Sequence, residues 1–189
     1  MDRKQLLQTI IAREAEMFVT VKTSEPADCQ TMLNTFRMLR AMSHSVLADD
    51  TLASYLQDLE TAAATGRNLM TEKYARMENL IPQLNENELI GKIVDIEREW
   101  LSAVHKKYPL TVAVDGGFTT YAVCELETYS DETLNLYYRD IFLAATQKRN
   151  LVEERYRYLY CNLGFKDLEE VETLARKHAA ARSEQDAEK

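Results

Sequence analysis

Residues 66–77 read Gly-Arg-Asn-Leu-Met-Thr-Glu-Lys-Tyr-Ala-Arg-Met, and their reading decides the fold. Gly66 stands where a helix stops, because a residue without a Cβ takes left-handed backbone at no steric cost. Asn68 follows as an N-cap, its side-chain oxygen placed to accept first-turn amides. Met70, Tyr74, Met77 and Ile81 then recur at i, i+4, i+7 and i+11, one stripe of a helix that closes before Pro82. Lys73 lies beside that stripe, Arg67 and Asn68 sit at its polar entrance, and Glu72 with Arg76 forms an i, i+4 pair.

Outward from this stretch the same grammar repeats. A first helix is expected over about 3–22, with Leu7, Ile10, Ile11, Met17 and Phe18 as its apolar side and Glu14 inside that side. A buried carboxylate needs a cation or several donors, and Arg40 on the next helix is the expected partner because a guanidinium bonds both oxygens at once. Thr23 to Pro26 breaks the helix, with Ser24 as the next cap. Further helices are expected over about 27–47 and 51–65, the latter capped by Asp50. Asn85 and Glu88 form a capping-box pattern ahead of a helix reaching about 107, which Pro109 ends. Asp115-Gly116-Gly117 marks a turn. Helical periodicity resumes over 118–147, with an internal cap at Ser130-Asp131, then over 150–161 and, after Asp167, over 168–182. Leu110 to Val114 alternates, but five residues without a partner do not make a sheet. The expected fold is all-α: a single compact bundle of seven or eight helices over residues 1–182, with a frayed polar tail over 183–189 and no internal repeat.

Composition agrees. Of 189 residues 46% are hydrophobic and 29% charged, with only 5 Gly and 3 Pro to interrupt helices. A net charge of −8 repels phosphate backbones and anionic lipid, which argues against nucleic acid and membrane as partners. Cys29, Cys124 and Cys161 form no CxxC pair, so the expectation is buried or half-buried free thiols in a reducing cytoplasm. Oligomeric state is not legible, and homo-oligomerisation stays open.

Three Glu-x-Glu pairs lie in separate helices: Glu14/Glu16, Glu97/Glu99 and Glu125/Glu127. Two residues are about 200° of helix, so one of each pair faces inward. Periodicity selects Glu14, Glu97 and, beside Tyr121 and Tyr129, Glu125. Inward carboxylates admit three readings. They build a di-metal centre, although the Glu-x-x-His pairs such centres use are missing, so no metal ligand is assigned. They pair with Arg40, Arg67, Lys73 or Arg76 in a network that fixes helix register. Or they line a pocket for a small polar or anionic ligand.

The candidate ligand-binding residues are Glu14, Arg40, Arg67, Asn68, Lys73, Tyr74, Glu97, Glu125 and Tyr129. A ligand-binding or protein-interaction module is the leading function. A small-molecule enzyme using buried carboxylate, lysine and tyrosine, with or without metal, is the alternative, and its catalytic residues and cofactor are unknown. Arg37 and His44, seven apart, also match the spacing of the Arg–His pair in helical ribonuclease domains of the HEPN type, a short pattern that the acidity of the chain opposes.

The order of motifs resembles the microbial family catalogued as domain of unknown function 4125. The matching pieces are Glu16-Met17-Phe18, Cys29-Gln30 with Phe36 and Arg40, Ser54 to Leu59, Gly66 to Met77, Glu99-Trp100, Tyr108-Pro109 and Glu125 to Asp131. The resemblance runs from the first helix to Gly164 and implies a helical domain without established chemistry.

Overall fold

The computed structural model describes residues 1–21, 32–114 and 116–187, with side chains as far as residue 182. Nine helices run through the described residues: α1 (Arg3–Val19), α2 (Leu33–His44), α3 (Asp49–Ala64), α4 (Leu69–Met77), α5 (Leu89–Lys107), α6 (Phe118–Leu126), α7 (Asp131–Thr146), α8 (Leu151–Asn162) and α9 (Leu168–Ala187). None of the described residues is in a strand. Ser24, Pro26, Cys29 and Asp115 lie outside them. The bundle is all-α, as the periodicity requires.

The stretch that opened the reading behaves as its residues dictate. Gly66 has φ +73°, and the amides of Gly66 and Arg67 reach back to the carbonyls of Ala63 (3.2 Å) and Ala62 (2.8 Å). This Schellman closure satisfies the last turn of α3. Asn68 then accepts the Thr71 amide at 2.9 Å and starts α4. The buried stripe of α4 is rotated from the expected one, however: Leu69, Met70 and Lys73 are buried, whereas Tyr74 and Met77 are half-buried.

Several local expectations are corrected. Ala48, not Asp50, is the N-cap of α3, and Asp50 instead forms a fork with Arg139. Glu72 pairs with Arg67, while Arg76 pairs with Glu127, so the Glu72–Arg76 bridge does not form. Asn85 and Asn87 accept the amides of Asn87 and Leu89 as successive turns, and no capping box forms with Glu88. The helical pattern over 118–147 does split at Ser130, which caps α7. Helix α9 runs on to Ala187, through most of the stretch expected to fray.

The largest correction concerns repetition. Residues 48–74, ADDTLASYLQDLETAAATGRNLMTEKY, align with residues 130–156, SDETLNLYYRDIFLAATQKRNLVEERY, 82 positions apart as Ala48 and Ser130 are. Thr51/Thr133, Tyr55/Tyr137, Asp58/Asp140, Asn68/Asn150, Glu72/Glu154 and Tyr74/Tyr156 are among the identical pairs, and Lys73 matches Arg155. The chain is a duplicated four-helix unit, α1–α4 and α5–α8, followed by α9. With one extra residue of spacing, Glu14 of α1 corresponds to Glu97 of α5.

The structure repeats with the sequence. Ala48 and Ser130 have the same backbone angles, φ −68° and ψ 158°. Asn68 and Asn150 each cap a helix and donate from Nδ2 to a carbonyl of their own half's first helix, Met17 at 2.9 Å and Trp100 at 3.1 Å. Helix α1 packs on α3 as α5 packs on α7, and each half lends a helix to the other, α2 against α8 and α6 against α4. Helices α3 and α7 meet at the centre. There the Ala48 amide donates to Asp140 (2.8 Å) and the Ser130 amide to Asp58 (3.0 Å). Such reciprocal contacts define a pseudo-two-fold axis.

The main core straddles this axis and takes in equivalents from both halves: Ile10/Ile93, Leu52/Leu134, Tyr55/Tyr137, Leu59/Ile141 and Leu69/Leu151. A smaller core of Leu101, Val104, Tyr108, Val112, Val152 and Leu168 seats the start of α9. Glu172 fixes it further by accepting from the Leu110 amide and the Thr111 hydroxyl.

Candidate functional site

Two polar clusters occupy the interior, one per half. In the first, Glu14 of α1 is fully buried and receives Arg40 as a fork, Nε to Oε2 at 3.0 Å and Nη2 to Oε1 at 2.6 Å. The expected pairing is therefore present. Tyr55 donates to Oε1 at 2.7 Å, and His44 Nε2 lies 2.9 Å from the same oxygen. Facing a carboxylate, that nitrogen must carry the proton, so the 3.2 Å approach of Arg40 Nη2 to it is a contact and not a bond.

The guanidinium also bridges to Glu125 of α6, at 2.8 and 3.0 Å. Glu125 is held on its far side by Lys73 Nζ at 3.2 Å, and Lys73, itself fully buried, donates to Tyr121 at 2.9 Å. Tyr129 adds a hydroxyl to Glu125 at 3.2 Å.

Charge sets the protonation states. Burial pushes the Glu14 carboxyl up, but the charge of Arg40, with His44, outweighs it and leaves the group at about 2. For Glu125 burial again acts upward, and Arg40 and Lys73 hold it well below the carboxylate range. Burial, reinforced by the carboxylates, raises the phenols of Tyr55 and Tyr129 well above their ordinary value. Ionised carboxylates therefore face neutral hydroxyls.

The second cluster is sparser. Glu97 of α5 is buried and accepts at Oε1 from Arg155 Nη2 (2.7 Å) and Tyr137 (2.9 Å), and Arg155 Nη2 also donates to the Tyr137 oxygen at 2.6 Å. Arg155 is 9% exposed, and its Nε–H is the only buried side-chain polar atom without a hydrogen-bond partner among the described residues. Desolvation opposes the charge of Arg155, and Glu97 more than restores it.

Beside this cluster lies a cavity of about 570 Å³. Its polar wall is Glu97, Arg155, Tyr137, Tyr129, Tyr121 and Glu125, and its apolar wall includes Leu101, Leu126, Phe118 and Val152. Leu39, Met42 and Ser43 of α2 also line it.

The candidates read from sequence divide accordingly. Glu97, Glu125 and Tyr129 line the cavity; Glu14, Arg40 and Lys73 stand behind Glu125, one layer in. Arg67 is exposed and engaged with Glu72. Asn68 is a cap and staple, and Tyr74 packs against Phe18 with Lys73 Nζ 4.9 Å from its ring centre, so neither belongs to the cavity wall.

Sequence reasoning missed Arg155, Tyr137 and His44. Tyr55 was missed as well, and the repeat would have found Arg155, since it occupies the place of the candidate Lys73. It also assigned only one inward member to each glutamate pair. Glu125 and Glu127 both point inward because α6 ends at Leu126, so helical angles stop applying before Glu127, which is buried against Arg76.

The other chemistries weighed above find no support in the geometry. Among the described residues no three His, Cys, Asp or Glu side chains gather to hold a metal, and each inward glutamate is bound to an arginine. Arg37 is exposed while His44 is buried on Glu14, so the two do not form a pair. Cys124 is buried, its thiol pushed up by burial, whereas Cys161 is exposed and not half-buried as expected.

A duplicated helical unit with one closed ionic core and one cavity defines a class of small all-α domain. The chain belongs to the family described as Protein of unknown function (DUF4125), whose model matches residues 4–173. That span takes in both four-helix units and ends one residue past Glu172, which anchors α9. No curated protein and no solved structure matches the chain. Among the described residues no helix is long and apolar enough to cross a membrane.

Proposed function

We propose that this protein is a small-molecule binding module whose ligand occupies the cavity beside Glu97 and Arg155. The observation that carries the reading is the orphaned, buried Nε–H of Arg155, a residue that lines the cavity. A buried donor without an acceptor costs about 1–3 kcal/mol, and native interiors rarely leave one. A ligand oxygen removes that cost on binding. The free thiols of Cys124 and Cys161 fit the reducing cytoplasm expected from the sequence.

Acid–base catalysis is the weaker reading. A general base works best near the pH at which it operates. Glu125 is instead held well below that range, and Tyr129 and Tyr137 are held protonated above it, by burial first. Groups so fixed serve as permanent donors and acceptors that orient a bound molecule.

A thermal-shift panel of small carboxylates, amines, zwitterions and polyols tests the reading. A ligand at 100 times its Kd adds about 2.7 kcal/mol of stability. For a chain of this size that raises Tm by roughly 5–10 °C. Arg155→Met should abolish the shift. No shift with any compound at millimolar concentration would overturn the proposal.

A further inference from the structure

The pseudo-two-fold axis gives Glu97, Tyr137 and Arg155 counterparts in the closed cluster, and the comparison shows what the cavity lacks. Glu97 corresponds to Glu14, Tyr137 to Tyr55 and Arg155 to Lys73. At the spacing that relates Ala48 to Ser130, Arg40 corresponds to Ala122 and Glu125 to Ser43, and both of these smaller residues line the cavity. Burial follows the same correspondence, with Arg40 and Ala122 both buried and Ser43 and Glu125 both partly buried. The closed cluster thus contains one cation and one carboxylate more than its counterpart, the Arg40–Glu125 pair.

The unfilled bonding positions match those two groups. Arg40 takes both oxygens of Glu14, whereas both hydrogen bonds to Glu97 fall on Oε1 and Oε2 receives none among the described residues. Glu125 accepts from Lys73, whereas Ser43, at the position equivalent to Glu125, offers Arg155 no carboxylate, and the Arg155 Nε–H has no acceptor. Ser43 turns its hydroxyl to the Leu39 carbonyl at 3.0 Å instead. The vacant acceptor and the vacant donor are neighbours, because Arg155 Nη2 and Glu97 Oε1 are already joined at 2.7 Å.

We propose that the cavity binds an α-amino acid, its ammonium on Glu97 and its carboxylate on Arg155, in the places that the Arg40–Glu125 pair, one residue from each half, fills in the closed cluster. The assignment rests on the binding function proposed above and narrows it. Two opposite charges on adjacent vacant positions call for a zwitterion whose charges share one carbon. Leu101, Leu126, Phe118 and Val152 on the remaining wall favour an apolar side chain. Neutral tyrosines flank the polar end, and discrimination follows because a ligand without either charge strands one buried partner.

Calorimetric titration with L-phenylalanine, L-leucine, phenethylamine (no carboxylate) and 3-phenylpropionate (no ammonium) tests it. The amino acids should bind at least tenfold more tightly than either singly charged analogue. If 3-phenylpropionate matches phenylalanine, the zwitterion is overturned and the binding function stands. If none of these binds while another compound of the thermal panel does, the amino acid alone is overturned; if nothing binds, both fall. A combined Ser43→Glu and Ala122→Arg variant restores the missing pair from the chain and should lose amino-acid binding at least 100-fold while melting higher. Should that variant fail to fold, Arg155→Gln serves: phenylalanine should lose its advantage over phenethylamine, and a retained tenfold advantage overturns the assignment.

Discussion

The two halves of the chain share a scaffold and differ at its centre. In the first, Glu14, Arg40 and Lys73, joined by Glu125 reaching across from α6, form a continuous alternation of charge, with every member in contact with an opposite one. In the second, Glu97 and Arg155 stand alone beside a cavity, with one orphaned donor. The asparagine caps and the central apolar positions are repeated, so the difference is not one of fold. Two differences, alanine where the first half has arginine and serine where the second has glutamate, separate a packed ionic core from a cavity. Duplication supplies the scaffold twice, which allows one copy to hold the structure while the other is opened.

That comparison is broken most directly by removing an arginine from each side. Arg40→Ala strands the buried Glu14 and deprives Glu125 of one of its two cations, so it should cost about 3–5 kcal/mol. The loss of Tm is on the order of 10 °C. Arg155→Ala leaves Glu97 with Tyr137 and an oxygen that already lacks a partner, and it should cost about 1–3 kcal/mol. Equal costs, measured by urea denaturation, would mean the two clusters are energetically the same.

Acid sharpens the difference. Glu14 is ionised in the fold down to about 2, against 4.5 ordinarily, because Arg40 and His44 outweigh its burial. A depressed carboxylate contributes stability that is fully present above its unfolded pKa and is lost as pH falls through the folded one. The window is therefore about 4.5 down to 2, Glu125 acts in the same direction, and the Glu14 contribution is about 3 kcal/mol. Melting temperatures between pH 5 and pH 2 should fall steeply in the native chain and less so in Glu14→Gln. Parallel slopes would remove Glu14 from the account.

The smallest effect tests the symmetry itself. Asn68 and Asn150 each accept a first-turn amide (Thr71 and Glu153) and staple their helix to a carbonyl of their own half. Asn68→Ala and Asn150→Ala should each cost about 1–2 kcal/mol and agree within about 0.5 kcal/mol. A clear inequality would show that the capping units are not equivalent in energy as they are in geometry.

Much of this was legible in sequence. Periodicity and the placement of Gly66, Asn68 and Ser130 mark the helices, because local rules govern stops and starts. The Glu14–Arg40 pair was legible because a carboxylate set within Leu7, Ile10, Ile11, Met17 and Phe18 has nowhere else to go. Arg155 was not, since a charged residue in the tyrosine-rich run of α8 looks like solvated surface until α2 is packed over it. The repeat escaped because its identities concentrate in the second pair of helices of each half. In the first pair only scattered positions such as Glu14/Glu97 correspond.

The most direct test observes the orphaned donor. In a ¹H–¹⁵N spectrum resolving arginine side chains, Arg155 Nε–H and Arg40 Nε–H can each be assigned from its loss in the Arg155→Lys or Arg40→Lys variant. Titrating the native chain with L-phenylalanine should shift the Arg155 signal downfield and slow its exchange with water as it gains an acceptor. The Arg40 signal, already bonded to Glu14 at 3.0 Å, should stay where it is. An unchanged Arg155 signal at saturating ligand, or a shift confined to Arg40, would contradict the account.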